Sequence, residues 1–233
     1  MQLDILVFAA HPDDAEISAG GTILKAVAAG HKVGVIDITR GELGSRGSAE
    51  LRAVEAANAS KVLGLSAREN CGLRDGFFLQ NEDSLLAMIR MIRTYQPKIV
   101  LCNAISDRHP DHGKASKLVS EACFYSGLLK IDTGQEKWRP GAVYHYVQDY
   151  YLKPDFVVDV TDFWDKKVEA LRCYSSQFYD PNSTEPRTPI SGKEFFDFLH
   201  ARAMQMGRPA GFQLAEGFIA DRTIGVNDIT TLI

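Results

Sequence analysis

Three segments of the chain, residues 3–10, 32–39 and 98–103, are dense in Val, Ile and Leu without alternating polar positions. Continuous apolar runs of this length suit strands buried on both faces, the pattern of a parallel sheet covered by helices. The stretches between them carry helical periodicity. Leu85, Met88, Ile89 and Ile92 form one stripe, and Ala115, Leu118, Val119, Ala122 and Leu129 form a second. Trp164, Val168 and Leu171 give a third. This alternation predicts an α/β fold: a Rossmann-like, doubly wound, mainly parallel sheet flanked by helices, with right-handed crossovers. Residues 142–146 and 156–160 read as later strands.

The texture changes after Ser175. Residues 179–189 hold three prolines and no apolar period, which predicts a long loop. A helix over 192–205, a Gly/Pro break at 207–211 and a final segment at 212–219 follow. The chain therefore reads as one domain over 1–233, with 175–233 as a C-terminal elaboration that acts as a lid or an oligomer contact.

Composition then excludes several classes. Lys+Arg number 26 against 30 Asp+Glu, a net charge of -4, which argues against nucleic-acid or anionic-membrane binding. No run approaches the ~20 apolar residues of a membrane span, and the N-terminal segment lacks the basic start of a signal peptide. Cys71, Cys102, Cys123 and Cys173 are far apart, without a C-x-x-C pair. They read as small hydrophobes in a reducing, cytoplasmic compartment rather than as a disulfide frame or thiolate metal site. Gly20-Gly21 does not fit a dinucleotide fingerprint, and carboxylates occupy the turn where a pyrophosphate would sit.

Chemistry concentrates in two clusters. Ala10-His11-Pro12-Asp13-Asp14-Ala15-Glu16 follows the first strand, and Asp107-Arg108-His109-Pro110-Asp111-His112 follows the strand at 98–103. In an open α/β sheet, ligands bind beyond the carboxyl ends of the strands, so both clusters can meet in one crevice. Imidazole and carboxylate suit zinc, and three protein ligands with an open position is the catalytic arrangement. His11, Asp14 and His112 supply those three. Asp13 is then free to act on water as general base, and His109 to donate toward developing negative charge.

These motifs resemble the PIG-L/LmbE family of zinc-dependent N-acetylglucosaminyl deacetylases. Thr39-Arg40-Gly41-Glu42-Leu43-Gly44, Arg52-Ala53-Val54-Glu55-Ala56-Ala57 and Gly72-Leu73-Arg74-Asp75-Gly76 carry the likeness further. Within the family, the chain is most similar to bacillithiol-biosynthesis deacetylases, whose substrate is N-acetyl-α-D-glucosaminyl L-malate. The resemblance implies one Zn2+ per chain on His11, Asp14 and His112, Asp13 as base, and His109 steadying the intermediate or protonating the amine. It implies substrate binding by Arg52, Asp75 and Glu42, and a homo-oligomer, hexameric or smaller. A tyrosine over the oxyanion is also implied, with Tyr151, Tyr174 and Tyr179 left open.

Taken without the resemblance, several of these residues read otherwise. Arg52 need not share a face with Leu51 and Val54, and reads as a solvated charge pairing with Glu55. Asp75 and Glu42 read equally well as turn residues. Arg46 and Arg108 are candidates for malate carboxylates. His31, His145 and His200 read as structural or exposed. Rival functions are deacetylation of another N-acetylglucosamine derivative or thiol conjugate, and a metal-dependent sugar-binding module without turnover.

Overall fold

The computed structural model describes residues 1–231. The elements in chain order are β1 (Ile5–Ala9), α1 (Asp14–Ala28), β2 (Val33–Thr39), α2 (Ala49–Leu63), β3 (Ala67–Leu73) and α3 (Glu82–Tyr95). They continue with β4 (Ile99–Cys102), α4 (Pro110–Tyr125), β5 (Ala142–Tyr146), β6 (Phe156–Asp159), α5 (Trp164–Arg172), α6 (Glu194–Gly207) and β7 (Ala215–Ala220). The strands form one sheet in the order β3-β2-β1-β4-β5-β7-β6. β1 to β5 pair parallel, and β7 pairs antiparallel with both β5 and β6. The mainly parallel α/β sheet is as the patterning predicts.

The apolar runs are central because both of their faces are covered. Leu6, Phe8, Ile36 and Val100 pack under α3 and α4 with Met88, Ile92, Leu118 and Val119. Val7, Ala9, Val33 and Val35 face the other way, onto Ala15, Ala19 and Ile23 of α1 and Ala170 of α5. A third cluster joins Ile17 and Ala59 to Tyr174, Phe178, Phe195 and Leu199. It fixes the C-terminal elaboration against α1 and α2.

Some boundaries differ from the periodicity. α4 ends at Tyr125, and Leu129 lies beyond it with 76% of its surface exposed. The final segment forms β7, inserted between β5 and β6 rather than added at an edge. β3, one of the two edge strands, is only partly covered and has no apolar run. Cys102 and Cys123 are buried, Cys71 and Cys173 are half-buried, and all four are free. Among the described residues no helix is long and apolar enough to cross a membrane.

Candidate metal and catalytic site

A cavity of about 350 Å³ opens where the parallel strands end. The segments after β1, β2, β3, β4 and β5 all contribute lining residues: Asp13, Leu43, Asp75, His109 and Gln148 are one from each. Gln177, Thr188, Pro189, Ile190, Phe195 and Arg202 supply the facing wall from the C-terminal elaboration.

The turn after β1 sets the first cluster. Pro12 restricts His11, and Asp13 takes φ 117°, a left-handed conformation that costs a non-glycine residue about 1–3 kcal/mol. Asp13 is the N-cap residue of α1, yet its side chain does not cap the helix. It is drawn instead to Arg52, whose Nη2 donates to Asp13 Oδ2 at 2.5 Å while Nε donates to the Pro12 carbonyl. Arg52 is thus buried against the turn, and its solvated reading does not hold, because α2 turns this side chain inward. Gly41, at φ +66°, lets the β2 loop pass close to the same guanidinium. Burial pushes the Asp13 carboxyl up to about 6, against the opposing pull of Arg52.

Asp14 lies between the two imidazoles. Its Oδ2 accepts from the His11 backbone and sits 3.4 Å from His11 Nδ1, and its Oδ1 is 3.1 Å from His112 Nε2. Asn103 Nδ2 and Gln148 Nε2 also donate to this carboxylate. The outer nitrogen of each ring meets another acid. His11 Nε2 is 3.0 Å from Asp75 Oδ1, and His112 Nδ1 is 2.5 Å from Asp107 Oδ2. Asp75 and Asp107 are themselves held by backbone N–H groups, of Leu43 for the first and of Asp149 and Tyr150 for the second.

This donor set fits a divalent cation. Burial opposes charging either ring, yet Asp111, Asp14 and Asp75 raise His11 well above its ordinary pKa. Asp14 and Asp107 likewise raise His112 to about 9. Protons on the two rings thus balance an excess of buried carboxylate, and a cation can take their place on the inner nitrogens. A carboxylate behind each ligating histidine is the usual supporting shell of such a site. Metal-compatible groupings among the described residues are His11–His109–His112 and His11–Asp75–Asp111; the first holds both imidazoles that flank Asp14, and neither includes Asp14 itself. In the second, Asp111 already accepts from the Gly76 backbone and Lys114.

His109 is the N-cap of α4, followed by Pro110 at the first helical position. Its ring stacks on His112 with centroids 5.1 Å apart and meets His11 edge-on at 4.6 Å. The Asp111 backbone donates to His109 Nδ1 at 3.3 Å, which leaves the ring proton on Nε2. Burial and the neighbouring imidazoles depress the His109 pKa, so the ring is neutral at pH 7.

The remaining predicted residues fall in varied places. Asp75 lines the cavity and orients His11. Glu42 is exposed, does not line the cavity, and accepts from the Asp75 backbone at 2.8 Å. Arg108 lines the cavity and pairs with Asp149. Arg46 donates to Ser176 O, Pro186 O and Ser183 Oγ, tying down the C-terminal loop away from the cavity. Tyr174 is fully buried and donates to Glu16, whereas Tyr151 and Tyr179 are exposed; none of the three lines the cavity. Sequence reasoning assigned no role to Asp107, Asn103, Gln148 or Arg202. Only Asp107 carried a signal, its place in the second cluster.

Residues 6–123 match the family model for PIG-L, GlcNAc-PI de-N-acetylase. The chain belongs to the PIG-L family. This PIG-L protein is similar to diacetylchitobiose deacetylase of Thermococcus kodakarensis, 28% identical over 229 residues, covering 91% of this chain and 81% of that one. It is also similar to 4-oxalmesaconate hydratase of Pseudomonas putida, 29% identical over 195 residues, with coverage of 76% and 74%. Among solved structures, a conserved protein of Thermus thermophilus superposes with TM-score 0.88 at 34% identity, covering 97% and 98% of the two chains. The N,N'-diacetylchitobiose deacetylase of Pyrococcus horikoshii gives TM-score 0.82 at 26% identity, covering 98% and 88%.

Proposed function

We propose that this PIG-L protein is a zinc-dependent deacetylase of an N-acetylglucosaminyl conjugate, with N-acetyl-α-D-glucosaminyl L-malate as the preferred substrate. The observation that carries the reading is Asp14 held between two carboxylate-backed imidazoles, with a second, separately held carboxylate, Asp13, beside it. His11, Asp14 and His112 would hold the metal, and Zn2+ so bound supplies Lewis acidity that makes water a competent nucleophile near neutral pH. Asp13, with its carboxyl near 6, takes the proton as water attacks the acetyl carbonyl. Arg52 keeps that carboxylate aimed at the cavity. His109 offers an Nε2–H to the developing oxyanion, an interaction worth about 3–4 kcal/mol in a transition state. A neutral His109 has no acidic proton to release, so Asp13 returns its proton to the leaving amine.

The test is acetate release by the metal-loaded protein from the malate glycoside, diacetylchitobiose and methyl N-acetylglucosaminide. The malate glycoside should show the highest kcat/KM. Asp13→Asn should keep the metal and lose about 10²–10⁴-fold in kcat. Preference for diacetylchitobiose would remove the malate assignment. No acetate from any substrate, with turnover of an unsaturated dicarboxylate by water addition, would replace deacetylation by hydration.

A further inference from the structure

Three arginines line the cavity, and two of them are spoken for. Arg52 is paired with Asp13 and Arg108 with Asp149. Arg202 of α6 differs. Nη1 donates to the Gln148 carbonyl and Nη2 to the Ile17 carbonyl, and the guanidinium lies over the Phe198 ring at 5.6 Å. Among the described residues it has no carboxylate within ion-pair distance. The acids nearest to it are otherwise engaged: Asp107 with His112, Asp149 with Arg108, and Glu216 with Lys167 and the α1 backbone at Gly21 and Thr22.

Withdrawing a guanidinium from water without a counter-ion is costly, and the cost is offset when an anion docks. The planar fork is the side-chain geometry that matches a carboxylate. Arg202 also stands one residue's length from the metal ligands. It holds the Gln148 backbone, while the Gln148 side chain donates to Asp14.

We propose that Arg202 is the specificity-determining residue of the cavity, receiving a carboxylate carried by the aglycone of the substrate. The inference rests on the deacetylase reading above and adds the residue that selects its substrate class. Gln177, Thr188, Pro189, Ile190 and Phe195 make up the remainder of that wall, so no second cation competes for the anion there.

The experiment compares wild type, Arg202→Met and Arg202→Lys on the malate glycoside and on methyl N-acetylglucosaminide. In parallel, calorimetry measures binding of the two deacetylated glycosides to metal-free protein. Wild type should favour the anionic substrate, and Arg202→Met should reduce the ratio of the two kcat/KM values about 10–100-fold, chiefly through KM. Arg202→Lys, which keeps the charge but loses the fork, should give an intermediate ratio. Binding of glucosaminyl malate should weaken in the same order. An equal loss on both substrates would mean that Arg202 only positions Gln148, and would overturn the proposal. So would a wild type without preference, or a variant relieved of acetate inhibition with its preference intact, which would place product acetate at Arg202. If no chain hydrolyses either substrate, the deacetylase reading fails, while the calorimetric comparison still decides whether Arg202 binds a carboxylate.

Discussion

Asp107→Asn isolates the contribution of the groups behind the proposed metal ligands. Asp107 makes three acceptor contacts: Oδ1 takes the backbone N–H groups of Asp149 and Tyr150 at 2.9 and 2.8 Å, and Oδ2 faces His112 Nδ1 at 2.5 Å. Asparagine is nearly isosteric. Keeping its carbonyl on the two backbone donors turns its NH2 toward His112 Nδ1. That nitrogen must then accept, and the ring proton moves to Nε2, where the lone pair for a metal is needed. The Asp107 side chain is fully buried, so little solvent screening softens the change. Loss of such a supporting carboxylate typically costs 10–100-fold in metal affinity. The upper end applies here, about 100-fold or roughly 2.7 kcal/mol, because charge and tautomer change together. The assay is competition for Zn2+ against a chromophoric chelator at pH 7.5, with melting of the metal-free protein as the folding control. Wild-type affinity in a folded Asp107→Asn would refute the reasoning and remove His112 from the ligand set.

Two further outcomes follow from contacts away from the proposed metal site. Glu55, buried in α2, accepts Ser175 Oγ and the Ser176 N–H on Oε1 and Ser176 Oγ on Oε2. Glu55→Ala leaves those donors without an acceptor and should cost about 3 kcal/mol, lowering Tm by roughly 6–12 °C; a calorimetric Tm within a degree of wild type would show that the elaboration is held elsewhere. His145 is buried, with Nε2 2.5 Å from Asp221 Oδ1 and Nδ1 2.9 Å from Ser116 Oγ. Burial disfavours its charge, but Cys102 and the Asp221 carboxylate outweigh this and raise its pKa from 6.5 to about 11. A pKa raised on folding stabilises fully below the unfolded value and is lost as pH climbs through the folded one. The Tm gap between wild type and His145→Asn should therefore be widest near pH 6 and close toward pH 11; a gap independent of pH would show that packing alone is at work.

The parts of the fold most legible in the sequence are those where burial is symmetric, although β5 and the edge strand β6 also fall where residues 142–146 and 156–160 read as strands. β1, β2 and β4 are covered on both faces, so their apolar runs are unbroken, and the chemistry that follows β1 and β4 is marked by where those runs stop. β3 was invisible because an edge strand with Arg68, Glu69 and Asn70 satisfies no apolar template, although Arg68 is buried in ion pairs with Glu16 and Asp37. α2 misleads for the opposite reason. Leu51 and Val54 are 44% and 58% exposed, while Arg52 and Glu55 face inward, so periodicity assigns the wrong face. What turns the helix over is tertiary: Arg52 answers to Asp13, and Glu55 to Ser176. Gln148 and Arg202 reach the site only through pairings made after the sheet closes, and no local pattern announces them.

The two walls of the cavity are built in physically different ways, and this separates reaction from substrate. Every side chain assigned to the metal or to proton movement lies between His11 and His112, at the ends of β1 and β4. Those strands are locked in the middle of a sheet with Val7, Phe8, Val100 and Cys102 fully enclosed, so the ligand geometry cannot relax without opening the core. The facing wall, from Gln177 to Arg202, hangs on side-chain bonds from Arg46 and Glu55 and on the packing of Phe178 and Phe195. A substitution there alters what is held against the ligands while the strands that carry them stay packed. Family members named for a disaccharide deacetylation and for a hydration are consistent with that division. On the proposal made above for Arg202, presenting the substrate to those ligands is the task of the wall that carries it.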